Sequence, residues 1–311
     1  MDRTILHCDC NSFFASVETL LDPSLADGPT AVCGDPESRH GIILAKNEKA
    51  KAFGVQTAET IWQAKRKCPD LRLVAPHRSE YVKFSRKCNE LYLQYTDLVD
   101  PFGIDESFLD VTGSMHLFGS GEHIADELRR RMREEVGLTI SVGVSFNRAF
   151  AKLGSDYKKP DAITRVEQDN YKEIVYPLPV EDLLYVGPAT SKKLRAIGID
   201  TIGRLAECPE DVLQRRLGKM GLVLSMFAKG RDVSPVQKTD HIPNVKSVGN
   251  SATTPRDLVS EGDVQLMLLL LAESVCSRMR ELASRCTVVE IYVRDTELRS
   301  MLRQRKLHEN S

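Results

Sequence analysis

Asp9 closes a short apolar run, and Asp105 and Glu106 stand side by side in Gly103-Ile104-Asp105-Glu106. If a sheet brings these acids together, like charges a few ångströms apart raise one another's pKa, so a protein that keeps them ionised holds them with divalent metal. Hard oxygen donors suit Mg²⁺. Two such ions, roughly 3.5 to 4 Å apart, would activate an attacking hydroxyl and neutralise a leaving pyrophosphate in phosphoryl transfer. The alternative is plainer: Asp9 caps a helix that begins near Ser12, and Asp105-Glu106 make a polar turn.

Basic residues follow at two places. Lys152, Lys158 and Lys159 lie just beyond an apolar strand, where an ammonium can meet phosphate as a point charge. Lys46, Lys49 and Lys51 lie in an earlier segment, where lysines at helical spacing also simply make a soluble face. A third feature is Tyr185-Val186-Gly187-Pro188-Ala189, followed by Lys192, Lys193 and Arg195. It resembles a helix-hairpin-helix, whose turn amides donate to DNA phosphates without reading sequence. The usual second glycine of that turn is here Ala189.

The elements that would position these residues can be read from periodicity. Residues 4–8 predict a strand that delivers Asp9, and 13–21 a helix with Phe14, Val17 and Leu21 on one face. Residues 98–111 predict two short strands around a bend at 103–106, residues 122–136 a helix, and 139–145 a strand. This order suits a ferredoxin-like split βαβ layer with helices on one face of an antiparallel sheet. It is interrupted by a mixed insertion, with strands at 30–33 and 42–45 and helices at 47–53 and 61–68. Residues 178–230 read as short helices separated by glycines, and 231–245 as a polar linker. Beyond it are a strand-like 246–254, a helix over 264–283 with Leu268, Leu271, Val275, Met279 and Leu282 on one stripe, and a strand over 287–294.

Composition sets the outer limits. With 311 residues, 41% hydrophobic and 28% charged, the chain is expected to form a multidomain α+β globular protein rather than a disordered or fibrous one. The longest apolar run, 266–272, is too short to span a bilayer, and the N-terminus carries no signal pattern, so a cytoplasmic location is expected and no membrane partner. A net charge of -1 neither demands nor excludes nucleic acid, although 294–306 and 215–229 are locally basic. The 8 cysteines show no zinc spacing and read as reduced, mostly buried thiols.

Four ordered segments together closely resemble the Y-family translesion DNA polymerases. They are Asp9-Cys10-Asn11-Ser12-Phe13-Phe14-Ala15-Ser16-Val17-Glu18, Ala50-Lys51-Ala52-Phe53-Gly54-Val55, Gly103-Ile104-Asp105-Glu106-Ser107-Phe108-Leu109-Asp110, and Val142-Gly143-Val144-Ser145 through Lys159-Pro160. The resemblance implies a palm at 1–21 and 77–166, fingers at 22–76, a helix-hairpin-helix thumb at 167–230, a linker at 231–244 and a little finger from 245 to 311 that is incomplete. It implies template-directed, lesion-bypass DNA synthesis with two Mg²⁺ ions, using primer-template DNA and deoxynucleoside triphosphates. A sliding clamp would bind through a segment absent here.

Residue by residue, the resemblance assigns Asp9, Asp105 and Glu106 as catalytic metal ligands, with the carbonyl of Cys10 as a further ligand. Phe13, Phe14, Lys51 and Lys159 match nucleotide-binding positions, Phe14 being the gate that excludes a 2'-hydroxyl. Gly187, Ala189, Lys192 and Lys193 match DNA-binding positions of the thumb. The run Glu48-Lys49-Ala50-Lys51 departs from the usual Tyr-Glu-Ala-Arg, and with Asn11 it points to the SOS mutagenesis branch. Two rival readings are a nucleotide cyclase, which gives no reason for a helix-hairpin-helix, and a non-catalytic polymerase-like subunit of a mutagenesis complex, against which the three acids argue.

Overall fold

The computed structural model describes residues 3–36, 41–239 and 245–307, and these fall into two compact units, the second beginning at 245. The first unit opens with β1 (Ile5–Cys10), buried along its whole length, and α1 (Phe13–Leu21). A three-stranded piece follows, built from β2 (Thr30–Cys33), β3 (Ile43–Lys46) and, after α2 (Glu48–Ala52) and α3 (Ile61–Lys67), β4 (Arg72–Val74). Its helices are fixed at their starts. Asn47 accepts from the Ala50 amide, and Thr60 with Gln63 closes a reciprocal capping box.

The chain returns through α4 (Arg78–Tyr92) to β5 (Val99–Pro101) and β6 (Glu106–Asp110), then α5 (Met115–Phe118) and α6 (Gly121–Arg131), which runs into a π-helical turn at Met132–Val136. Next come β7 (Ile140–Ser145), α7 (Arg148–Tyr157) and β8 (Ile163–Val166). The five strands lie in the order β5-β6-β1-β7-β8, with β1 antiparallel to both β6 and β7, which is the ferredoxin-like arrangement with β8 added at the edge.

That added strand corrects the expectation of helices on one face alone. β8 is parallel to β7, and a parallel neighbour requires a crossover, so α7 packs on the face opposite α4 and α6. Alternation along β1 serves both faces. Leu6, Cys8 and Cys10 join a core with residues of α1, α4 and α6, whereas Ile5 meets Phe108 and Ala151 on the α7 side, and His7 and Asp9 share that second face. Gly143 makes the close approach of α7 possible. A Cβ there would lie 1.9 Å from the Ala151 carbonyl oxygen.

The other face of α7, with Ala149, Phe150 and Leu153, packs into a helical region. That region holds α8 (Tyr171–Val175), α9 (Pro188–Arg195), α10 (Ile202–Glu207), α11 (Glu210–Leu217) and α12 (Lys219–Ala228). Residues 231–239, expected as linker, are bound back to this unit: Asp232 accepts from the Ala149 amide, Arg148 donates to the Pro235 carbonyl, and the Thr239 hydroxyl donates to Val99. Residues 240–244 of that stretch lie outside the described residues.

The second unit has α13 (Glu261–Glu281), started by a Ser260 cap, and the hairpin β9 (Val288–Arg294) with β10 (Ser300–Lys306). Leu268, Leu271, Val275 and Met279 are half-buried, as the stripe predicts, whereas Leu282 is exposed. Residues 246–254, expected as strand-like, form no strand, because a strand needs a hydrogen-bonded neighbour and β9 pairs only with β10 among the described residues. The basic run at 294–306 is mostly β10. None of the described helices is long and apolar enough to cross a membrane.

Candidate active site

Pairing of β1 with β6 sets Asp9 directly opposite Glu106. Like charges facing each other across a ladder repel, so this register needs a cation between them. Asp105 is placed one residue earlier, its carbonyl accepting from the Cys10 amide at 2.9 Å, which ties the 102–105 bend to the end of β1. The helix-capping alternative for Asp9 does not hold. The α1 N-cap is Ser12, in a left-handed backbone conformation with no side-chain cap, and the Asp9 carboxylate turns to lysines instead.

Two ammoniums reach into the acids from α7 and the loop after it. Lys152 Nζ lies 3.0 Å from Asp9 Oδ2 and 2.6 Å from Glu106 Oε2, while Lys159 Nζ lies 2.8 Å from Asp9 Oδ2. His7, two residues before Asp9 and on its face of β1, sets Nε2 3.2 Å from Glu106 Oε2, off good hydrogen-bond alignment. Its Nδ1 lies 2.8 Å from the Ser155 hydroxyl. Burial would push the Glu106 carboxyl up, but the close His7 imidazole and the hydrogen bond from Lys152 outweigh it and hold it at about 2. Asp105 goes the other way: burial first, then the Asp9 and Glu106 charges, raise it. Burial would lower both lysines, and the carboxylates around them raise both instead.

These groups open on a cleft of 410 Å³ that also takes in Phe14, Lys46, Glu48, Lys51 and Thr57. Four carboxylates and four ammoniums line it, so the cleft is close to neutral overall but sharply divided by charge. Phe13 borders the cleft yet is only 3% exposed and belongs to the core, whereas Phe14 is half-buried with its ring stacked on Tyr81 at 4.1 Å. Lys51 lies across the cleft beside Glu48, at 3.6 Å, and the Ser12 hydroxyl donates to Glu48 at 3.2 Å. The cleft therefore brings together Asp9, Cys10, Asp105, Glu106, Phe13, Phe14, Lys51 and Lys159.

Four of the expected positions lie elsewhere. Gly187 is the N-cap of α9, with open space where a Cβ would stand, Ala189 is in its first turn, and Lys192 and Lys193 are exposed in its last. Sequence reasoning missed His7 as a partner of the acids, although its i, i−2 relation to Asp9 is a signal that strand alternation supplies. It also missed Tyr81, whose hydroxyl donates to the buried Glu18 carboxylate, and Asn11, whose side-chain oxygen accepts from the Asp161 amide and so fixes the loop that carries Lys159.

The oxygen-rich donor set fits a divalent cation: the carboxylates of Asp9 and Glu106 converge with His7 within 4.8 Å, and ammoniums stand where the acids require positive charge. The sequence profile of the impB/mucB/samB family matches residues 8–156, and that of the family's C-terminal domain residues 245–311. The chain is 51% identical over 304 residues to DNA polymerase IV of Acetivibrio thermocellus, covering 98% of this chain and 76% of that protein. It is 39% identical over 307 residues to DNA polymerase IV of Moorella thermoacetica, covering 98% and 76%. Among solved structures it is similar in fold to a Y-family DNA polymerase chimera of Dbh and Dpo4, with a TM-score of 0.86, 22% identity, and coverage of 99% of this chain and 88% of that one.

Proposed function

The chain belongs to the impB/mucB/samB family as a DinB-type Y-family polymerase, and from that premise we propose that it is a lesion-bypass DNA polymerase extending a primer 3' end with deoxynucleotides opposite damaged template. The observation that carries this reading is the facing pair Asp9 and Glu106, with Asp105 beside them, at the floor of an open cleft lined by phosphate-seeking lysines. Its relatives named DNA polymerase IV correct the expected assignment to the SOS mutagenesis branch: Asn11 and Glu48-Lys49-Ala50-Lys51 occur here in a DinB-type chain.

In this reading Asp9, Asp105, Glu106 and the Cys10 carbonyl would hold Mg²⁺, in the family's usual number of two. When bound there, Mg²⁺ would supply Lewis-acid activation of the primer hydroxyl and neutralisation of charge on the phosphates. The protein's own groups do the positioning. Lys51 and Lys159 approach the triphosphate as point charges from opposite walls, and Phe14 lies against the sugar, where a 2'-hydroxyl would collide with its ring. Glu48, where a tyrosine is usual, offers no phosphate donor, so Lys46 and Lys51 take the greater part on that wall.

The proposed domains are a palm at 1–21 and 77–166, fingers at 22–76, a thumb at 167–230 and a little finger from 245. In the thumb, the N-terminus of α9 at Gly187 and Ala189, with Lys192 and Lys193, would take template-primer phosphates. A cytoplasmic location belongs to the same reading. The test is primer extension with Mg²⁺ on a template carrying an abasic site. Extension past the site supports the reading, and failure to add a nucleotide on either damaged or intact template overturns it.

A further inference from the structure

The Asp9–Glu106 register juxtaposes two carboxylates on neighbouring strands, and like charges so placed need a cation close to both. The group standing between them is an ammonium of the chain itself. Lys152 Nζ contacts both inner oxygens, at 3.0 and 2.6 Å, and its side chain is largely enclosed. It is carried there by α7, whose close approach to the sheet depends on Gly143. One turn further along α7, Asp156 lies 3.4 Å from the same ammonium and 2.8 Å from Lys159, with its carboxylate half-exposed. Lys152 thus already touches a third carboxylate, on its own helix, besides Asp9 and Glu106.

We propose that Lys152 is an internal counter-ion: it holds Asp9 and Glu106 together in the metal-free protein, and a divalent cation binds by displacing its ammonium onto Asp156. This rests on the reading of the acids as metal ligands. The exchange breaks no covalent bond and moves no proton. It makes metal affinity and metal-free stability opposite outcomes of one side chain, since whatever Lys152 contributes to the empty site a metal must replace. Asp156 is a positioning residue in this scheme, because it acts on the site only through the lysines.

The test is Mn²⁺ binding by titration calorimetry, together with thermal unfolding with and without the metal, for the full chain and two variants. Lys152→Met keeps the packed stem and removes the charge. It is expected to melt at a lower temperature than the parent without metal, to bind Mn²⁺ about tenfold more tightly, within the usual range for coupled sites, and to show a larger metal-induced rise in melting temperature. Asp156→Asn removes the receiving carboxylate and is expected to bind Mn²⁺ several-fold more weakly. Parent binding that is unchanged or weakened in Lys152→Met overturns the proposal and leaves the metal reading standing. Absence of binding by the parent overturns both. If Lys152→Met does not fold, Asp156→Asn decides alone: weaker binding supports the exchange and unchanged binding overturns it.

Discussion

Phe14 rests flat on Tyr81, the ring planes 11° apart, and the Tyr81 hydroxyl is fixed by the buried Glu18. A gate that excludes by collision has to be held against recoil, and in the role proposed for Phe14 this stack would hold it. Phe14→Ala should therefore lower the preference for deoxyribonucleotides over ribonucleotides by about tenfold or more, roughly 1.4 kcal/mol of discrimination. Competitive single-nucleotide incorporation measures the ratio, and an unchanged ratio would put the gate elsewhere. At the same scale, burial and its acidic neighbours raise Asp105, while Glu106 is held near 2. Glu106 contributes stability that is fully present above its usual 4.5 and is lost only as pH falls toward 2. Asp105 takes its proton first, so acidification should abolish incorporation while the fold persists. Incorporation and far-ultraviolet circular dichroism on the same samples would show this, and loss of both at one pH would contradict it.

The sheet and α7 set how far these residues can act together. Gly143→Ala would drive a methyl into the Ala151 carbonyl and the Ser155 amide, at 1.9 and 2.5 Å, so α7 must lift from β7. A loss of about 1–3 kcal/mol is expected from overpacking of this kind, read as a lower urea midpoint, and parent-like stability would mean that the helix yields freely. At this scale the sequence was only partly legible. Strand alternation locates β1, β6 and β7, the last to within a residue, whereas β1 runs two residues past the expected 4–8 and takes in Asp9, and β6 begins at Glu106, inside the expected bend. The facing of Asp9 and Glu106 could not be read, because register between segments so far apart in the chain is a tertiary property. Helix α4 and strand β8 passed unnoticed. The first follows His77, an N-cap whose side chain makes no cap bond, and spreads its buried face over Tyr81, Cys88, Leu91 and Tyr92 among charges, and the second is only four residues long. Residues 246–254 looked like a strand through composition, but composition supplies no partner.

Over the whole molecule charge is nearly balanced, at -1, so any hold on DNA depends on where the cations lie. Lys192 and Lys193 stand exposed at the end of α9, away from the cleft lysines that serve the acids. Each phosphate contact adds about 0.9 to the slope of log affinity against log salt, so replacing both lysines by alanine should flatten that slope by about one to two for primer-template DNA. Fluorescence anisotropy across a salt series gives the slope, and an unaltered value would remove α9 from the DNA surface. The carboxylate cluster should be separable from that surface. Glu106→Gln keeps the shape of the side chain and removes the charge that Asp9 faces across the ladder. Single-turnover incorporation with Mg²⁺, alongside primer-template affinity, is the most direct measurement. Incorporation should fall by about 10²- to 10³-fold, the scale of losing one preorganised charge at a reacting centre, with DNA affinity unchanged. Near-parental incorporation by Glu106→Gln would contradict the assignment of these acids as the site of nucleotidyl transfer.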